Sequence, residues 1–293
     1  MRFSSSWILL SLALLLLDLA IAAPGRADDY VISSGARGGF YHDVANQLIG
    51  LLGEEQRTAR NNVSGGSVQN LLQLATPKSE VNVVLAQADA VRFFLDEHPE
   101  FSSELIILDD LGRECVALIT GAKDGISSAA DLKTGGFGSL VTPSMGSGAS
   151  VTLEYMSRMD PAYRRTAVIH REPMEAMLQM RMHGGEKIAA VMLVNRPEFL
   201  TPELESALES PKQFRMAPVR AKDVKNGVLP DGSPVYTFDE VLVGVGSDQQ
   251  VRYETMCTRA LMLISSTKLD ESARRILARV LLERAKRFAL DHE

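Results

Sequence analysis

Histidine, cysteine and tryptophan are scarce in this chain of 293 residues, at five, two and one. The histidines, His42, His98, His170, His183 and His292, are scattered and show no metal-ligand spacing. There is no His-Glu-x-x-His, no Gly-x-Ser-x-Gly and no Gly-Lys-Ser/Thr phosphate loop, so the local signatures of zinc peptidases, α/β-hydrolases and P-loop enzymes are missing. Ser265-Ser266-Thr267-Lys268 fits Ser-x-x-Lys formally but precedes a helix cap and lacks the partner motifs. The expectation is a non-enzyme with no cofactor and no metal; catalytic triads are recognised by geometry, so an enzyme on the same scaffold stays the alternative. Basic character is lacking too: a formal net charge of −6 argues against nucleic acid or an anionic membrane as partner. Internal repeats, low-complexity segments and long charge blocks are absent, and no segment beyond the first residues is apolar enough to cross a bilayer.

What is present begins with a leader. Arg2 precedes an apolar run from Trp7 to Leu17, followed by the small residues Ala20-Ile21-Ala22-Ala23 and Gly25-Arg26-Ala27. Residues 1–27 have the layout of a cleaved secretory signal, and no cysteine nearby offers a lipid attachment point. The expectation is an exported, non-lipidated protein with no direct membrane insertion after cleavage. Cys115 and Cys257 would then meet an oxidising compartment, where a disulfide and two buried thiols both fit, because sequence does not set their Cα separation.

Three times a strand-like run ends in a Gly/Ser-rich turn that opens into an amphipathic helix. The turns are Ser33-Ser34-Gly35-Ala36-Arg37-Gly38-Gly39, Ser64-Gly65-Gly66-Ser67 and Thr142-Pro143-Ser144-Met145-Gly146-Ser147-Gly148. A helix start presents unpaired N–H groups and partial positive charge, so it holds an anion without a charged side chain. Glycine lets backbone come close and serine adds adaptable hydrogen bonds. Several such turns in one exported chain suggest a pocket for a small acidic solute.

The remaining pattern alternates strand and helix, which predicts an α/β architecture with mostly parallel sheets. Helices are predicted at 40–54, 68–75, 89–95, 150–159, 173–181, 202–208, 252–264 and 270–289. Strands are predicted at 30–32, 60–63, 81–85, 105–108, 115–120, 138–141, 167–170, 188–194 and 214–218, with 235–245 a strand pair or one long crossing segment. Met174, Met177, Met180 and Met182 with His183 resemble a thioether copper site, but spacing of three along a helix more commonly marks a packed face.

The turn ending Gly39-Phe40-Tyr41, the run Gly66-Ser67-Val68-Gln69-Asn70 and the segment Val84-Leu85-Ala86-Gln87-Ala88-Asp89 occur in the order and at the spacing seen in the TAXI family, the extracytoplasmic receptors of TRAP transporters. Asp131-Leu132-Lys133, the Gly146-Ser147-Gly148 helix start and a closing pair of helices extend the resemblance from Tyr30 to the last helix. It implies a type II periplasmic-binding-protein fold, with two α/β lobes, two crossing strands and a ligand cleft between. By analogy lobe one is 28–120 plus 235–293, and lobe two is 121–234. The resemblance also implies a monomeric periplasmic receptor for a small carboxylate such as glutamate or 2-oxoglutarate, handed to a TRAP permease driven by an ion gradient. Asn195-Arg196-Pro197 stands where the family often carries a Gly-x-Pro-like turn, a departure that would place a guanidinium beside the implied cleft.

The candidate ligand contacts follow. Ser34, Gly38, Gly39, Phe40 and Tyr41 come from the first turn, and Ser64, Gly66 and Ser67 from the second. Gln87 and Asp89 follow a buried-type strand, where capping is the alternative role. Ser144, Gly146, Ser147 and Gly148 would answer from lobe two, and Asn195 with Arg196 would add a fork suited to a carboxylate.

Overall fold

The sheet is mixed and not mostly parallel as expected: strands pair in parallel towards its two ends, and two long strands between them run antiparallel to their neighbours. The computed structural model describes residues 29–182, 187–244 and 250–290. The leader at 1–27, His183 and His292 lie outside the described residues.

The first unit runs β1 (Tyr30–Ser33), α1 (Phe40–Glu54), β2 (Ala59–Asn62), α2 (Ser67–Ala75), β3 (Val83–Gln87) and α3 (Ala88–Glu97). Helix α1 buries Val44, Leu48, Leu51 and Leu52, the one face predicted from sequence. Burying each leucine contributes about 1.5–3 kcal/mol. Strand β1 pairs in parallel with β2 and β3, and β3 is buried along its whole length, as a strand covered on both faces must be.

Next comes β4 (Leu105–Gly121), then β5 (Ser139–Thr142), α4 (Gly148–Met159), β6 (Val168–His170), α5 (Pro173–Met182), β7 (Ile188–Asn195), α6 (Pro202–Glu209) and β8 (Phe214–Met216). The chain closes with β9 (Tyr236–Val243), β10 (Val251–Ser265) and α7 (Glu271–Leu290). The sheet order is β2-β1-β3-β10-β4-β7-β5-β6, with β8 on β4 and β9 on β10. Both ends therefore have the same plan: three parallel strands followed by an antiparallel one. Strands β4 and β10 run through the middle and belong to both ends, which makes this the α/β, two-lobed fold with two crossing strands.

Three predictions of single elements need correction. Residues 252–264 form β10, not a helix, so the chain ends in a strand and a helix and not in a pair of helices. The predicted strands at 105–108 and 115–120 are one 17-residue strand, β4. Gly112, at φ +106°, lies at the irregular step where the ladder to β10 shifts register between Arg113 and Asp110, while the strand itself runs on. The crossing role falls to β4 and β10, while 236–243 is β10's antiparallel neighbour.

The cores follow the same plan. Tyr30, Leu48, Leu85 and Met262 pack with Leu277 and Val280 at one end. At the other, Ile119, Val141, Val191, Val241 and Tyr253 pack with Met177, and Met174 and Met180 lie partly buried against them, so these three methionines mark a packed face, while Met182 is exposed. A third cluster joins the ends, bringing Leu71 and Phe94 together with Leu153, Tyr155 and Tyr236.

Candidate functional site

The first turn leaves the carboxyl end of β1 and reverses through Gly39, whose N–H reaches the Ala36 carbonyl at 3.2 Å. Gly38 sits at φ +76°, a left-handed conformation that favours glycine. Beneath it, Ser34 is wholly buried and donates to Asn61 Oδ1 at 2.6 Å. Asn70 ties the Ser34 and Leu85 carbonyls together at 2.6 and 2.7 Å, which locks the ends of β1 and β3. Ser64 accepts from Gly66 N at 3.2 Å, and Ser67 accepts from Gln87 N at 3.1 Å. The first and second turns are joined directly by Ser64 N to Gly35 O at 3.4 Å.

The third turn arrives from the far end of the sheet. Ser147 N bonds to Ser144 O at 3.1 Å and Ser147 Oγ caps Ser150 N at 3.3 Å, which starts α4. A Cβ placed on Gly66 would lie 2.5 Å from the Gly146 carbonyl oxygen, so the two turns are in backbone contact. A Cβ on Gly148 would meet the Gln87 side-chain amide at 2.6 Å. Gln87 is 2% exposed and its Nε2 has no hydrogen-bond partner. An unpaired buried donor costs about 1–3 kcal/mol, and this one stands against the start of α4.

Tyr41 connects the first helix to the crossing strands. Its hydroxyl donates to Glu114 Oε2 on β4 at 2.7 Å, with Ser67 as a further side-chain neighbour. Burial pushes the Glu114 carboxyl up to about 7, with the Tyr41 hydrogen bond and Arg196 opposing and Asp89 reinforcing the rise. Burial and then Glu114 hold the Tyr41 phenol well above its ordinary range. Phe40 stacks beside Tyr41 with centroids 5.7 Å apart, and the Arg196 guanidinium lies 4.7 Å over the Phe40 ring. Arg196 also pairs with Glu198, and its Nε has no partner. Asn195 turns to the Arg196 and Phe199 carbonyls at 3.4 and 3.2 Å.

Asp89 is fully buried and already satisfied. Thr152 of α4 donates to it at 2.6 Å, Tyr236 of β9 at 3.1 Å and Ala90 N at 2.8 Å. Burial still raises its pKa against those three bonds. It ties the first unit to α4 and β9.

The three glycine corners and Tyr41 thus share one place, at the carboxyl ends of β1, β3 and β5, where ligands of open α/β sheets are usually held. Sequence reasoning missed three residues there: Glu114, Thr152 and Tyr236. Only Glu114 had a detectable cue, as a lone acid at the start of the apolar run 115–119. Among the described residues no cluster of three or more His, Cys, Asp or Glu is placed to hold a metal, and no helix is long and apolar enough to cross a membrane. A separate cavity of about 230 Å³, lined by Asp29, Tyr30, Arg57, Lys268 and Asp270, lies at the amino end of β1, away from these turns.

No family model and no curated protein matches the chain. Among solved structures it resembles XAC2383 from Xanthomonas citri bound to ATP, with 11% identity, a TM-score of 0.50 and coverage of 88% of this chain and 83% of that one. It is also similar to a TctC solute binding protein from Polaromonas, at 10% identity, 90% and 87% coverage and TM-score 0.46. A third is the glycine/betaine/L-proline-binding protein ProX from Borrelia burgdorferi, at 12% identity, 80% and 74% coverage and TM-score 0.46. The first shares the fold; the other two, below 0.5, carry no weight.

Proposed function

We propose that this chain is a non-enzymatic periplasmic receptor that closes two lobes over a small carboxylate and delivers it to a TRAP-type secondary permease. The observation that carries the reading is the meeting of Gly66 and Gly146 across the two ends of the sheet, with the unpaired Gln87 amide against the start of α4. A carboxylate there would accept from Gln87 Nε2 and from helix N-terminal N–H groups, while Phe40 and Tyr41 exclude water. Closure then follows from contacts to both lobes that an open form lacks. In this proposal the lobes meet within β4 and β10 at Cys115 and Cys257, so β9 goes with the second lobe.

Ser67, Ser147 and Gly148 sit at the helix starts that would face the ligand, with Arg196 held over the Phe40 ring. Ser34, Ser64, Ser144, Asn195 and Asp89 shape the walls through the bonds described above.

The test is calorimetry or thermal shift on the purified chain against glutamate, 2-oxoglutarate, aspartate and succinate, with ATP included because XAC2383 was solved with it. Saturable binding of an acid with a rise in melting temperature supports the reading. A flat response across the panel counts against it. An adjacent fused permease gene without an ATPase would support the TRAP partner over an ATP-driven importer.

A further inference from the structure

We infer that Glu114 selects a ligand bearing an ammonium group as well as a carboxylate. The inference rests on the receptor reading and narrows its substrate class. Glu114 is 9% exposed, in the middle of a crossing strand, beside the turns that meet. Its Oε2 takes the Tyr41 hydroxyl, but an ionised carboxylate offers about four lone-pair sites, and one neutral donor leaves a buried charge uncompensated.

The groups around it do not supply the missing partner. Tyr41 from α1 is a neutral phenol, Asp89 at the start of α3 adds like charge, and Thr258 opposite on β10 does not titrate. Arg196, after β7, is the neighbouring cation and eases the Glu114 charge through space, but its guanidinium pairs with Glu198 and lies over the Phe40 ring, and it makes no hydrogen bond to Glu114. A dicarboxylate entering this space would set a second negative charge against Glu114 and Asp89 at low dielectric. An α-amino acid offers both complements: its ammonium reaches Glu114, and its carboxylate takes the unpaired Gln87 Nε2 at the start of α4.

A proton follows from the same arrangement. The Glu114 carboxyl titrates near neutrality, so part of the population is protonated before binding. An arriving ammonium favours the ionised form, and the carboxyl proton leaves to solvent. Amino-acid binding should therefore tighten as pH rises from 6 to 8, whereas binding of the matching acid without nitrogen should weaken.

The experiment titrates the purified chain by calorimetry with glutamate against 2-oxoglutarate and aspartate against succinate, at pH 6, 7 and 8. The expected result is a preference of about tenfold or more for the amino acid, growing with pH, and reduced to near parity in Glu114→Gln. In wild-type protein, repeating the titration in buffers of different ionisation enthalpy should reveal net proton release, and this arm does not depend on the variant folding. Equal or tighter binding of the nitrogen-free acids, or no proton release, overturns the inference while leaving the receptor reading intact. Binding of neither series overturns both.

Discussion

Cys115 and Cys257 stand directly opposite each other at the last paired position of β4 and β10, their Cα atoms 3.9 Å apart and their sulfurs bonded. Beyond this point β4 pairs with β7 and β8, while β10 continues along β9. The bond therefore closes the fork where the two crossing strands part. The neighbouring Glu114 points to the other face of β4, towards Tyr41, so the same pivot positions the buried acid.

Reduction, or the double change Cys115→Ala and Cys257→Ala, should lower unfolding free energy by about 2–4 kcal/mol, since a cross-link over 142 residues restricts the unfolded chain. Urea midpoints with and without reductant measure it. An unchanged midpoint contradicts the bond's structural role.

Gly66→Ala should block closure. Its added methyl would lie 2.5 Å from the Gly146 carbonyl oxygen, and φ of +129° disfavours any side chain. The expected outcome is ligand affinity reduced about tenfold or more with far-ultraviolet circular dichroism preserved. Solution scattering should show a larger radius of gyration with ligand than wild-type protein has. Wild-type affinity would refute the contact's importance.

Gln87→Leu separates binding from folding. Removing an unpaired buried amide donor relieves a desolvation cost, so thermal stability without ligand should be kept or raised. Affinity for the carboxylate should fall about tenfold. Lost stability with retained affinity would reverse the assignment.

Stability should fall with pH because of Glu114. Its folded pKa of about 7 exceeds the ordinary 4.5, so between these values the folded state holds more protons than the unfolded one. The contribution is complete below about 4.5 and is lost as pH rises through 7. Glu114→Gln should then be more stable than wild type at pH 8, by on the order of 3 kcal/mol, with the gap closing by pH 4. Urea unfolding at pH 4, 6 and 8 checks the slope.

Lys268 has a different role, remote from the turns. Its ammonium donates to the carbonyls of Gln73, Thr76, Ser79 and Val81 at 3.2, 2.9, 3.0 and 3.0 Å, gathering the loop between α2 and β3. Lys268→Met should cost about 2 kcal/mol of stability and leave ligand affinity unchanged, because hydrogen bonds to charged groups are among the stronger ones. Parallel melting and titration curves decide it.

The first unit was legible because its elements are locally consistent. The α1 pattern repeats at helical spacing, and the glycines of the first two turns mark where backbone must bend. The misreading of β10 has an equally local cause. Tyr253, Met256, Cys257, Ala260, Leu261 and Ile264 fall at i, i+3, i+4, i+7, i+8 and i+11, a helical stripe by spacing. In the fold they lie in a strand buried on both faces for most of its length, where alternation disappears and periodicity no longer reports the period.

Chain order alone settled the α/β class, the three glycine corners and the packed faces of the helices, since each follows from residues within a turn or two of one another. Which corners meet, which acid lies beneath them and whether two cysteines 142 positions apart can bond were settled only by tertiary structure. Those outcomes depend on how two long strands cross, and pairing between distant segments leaves no mark in the spacing of either.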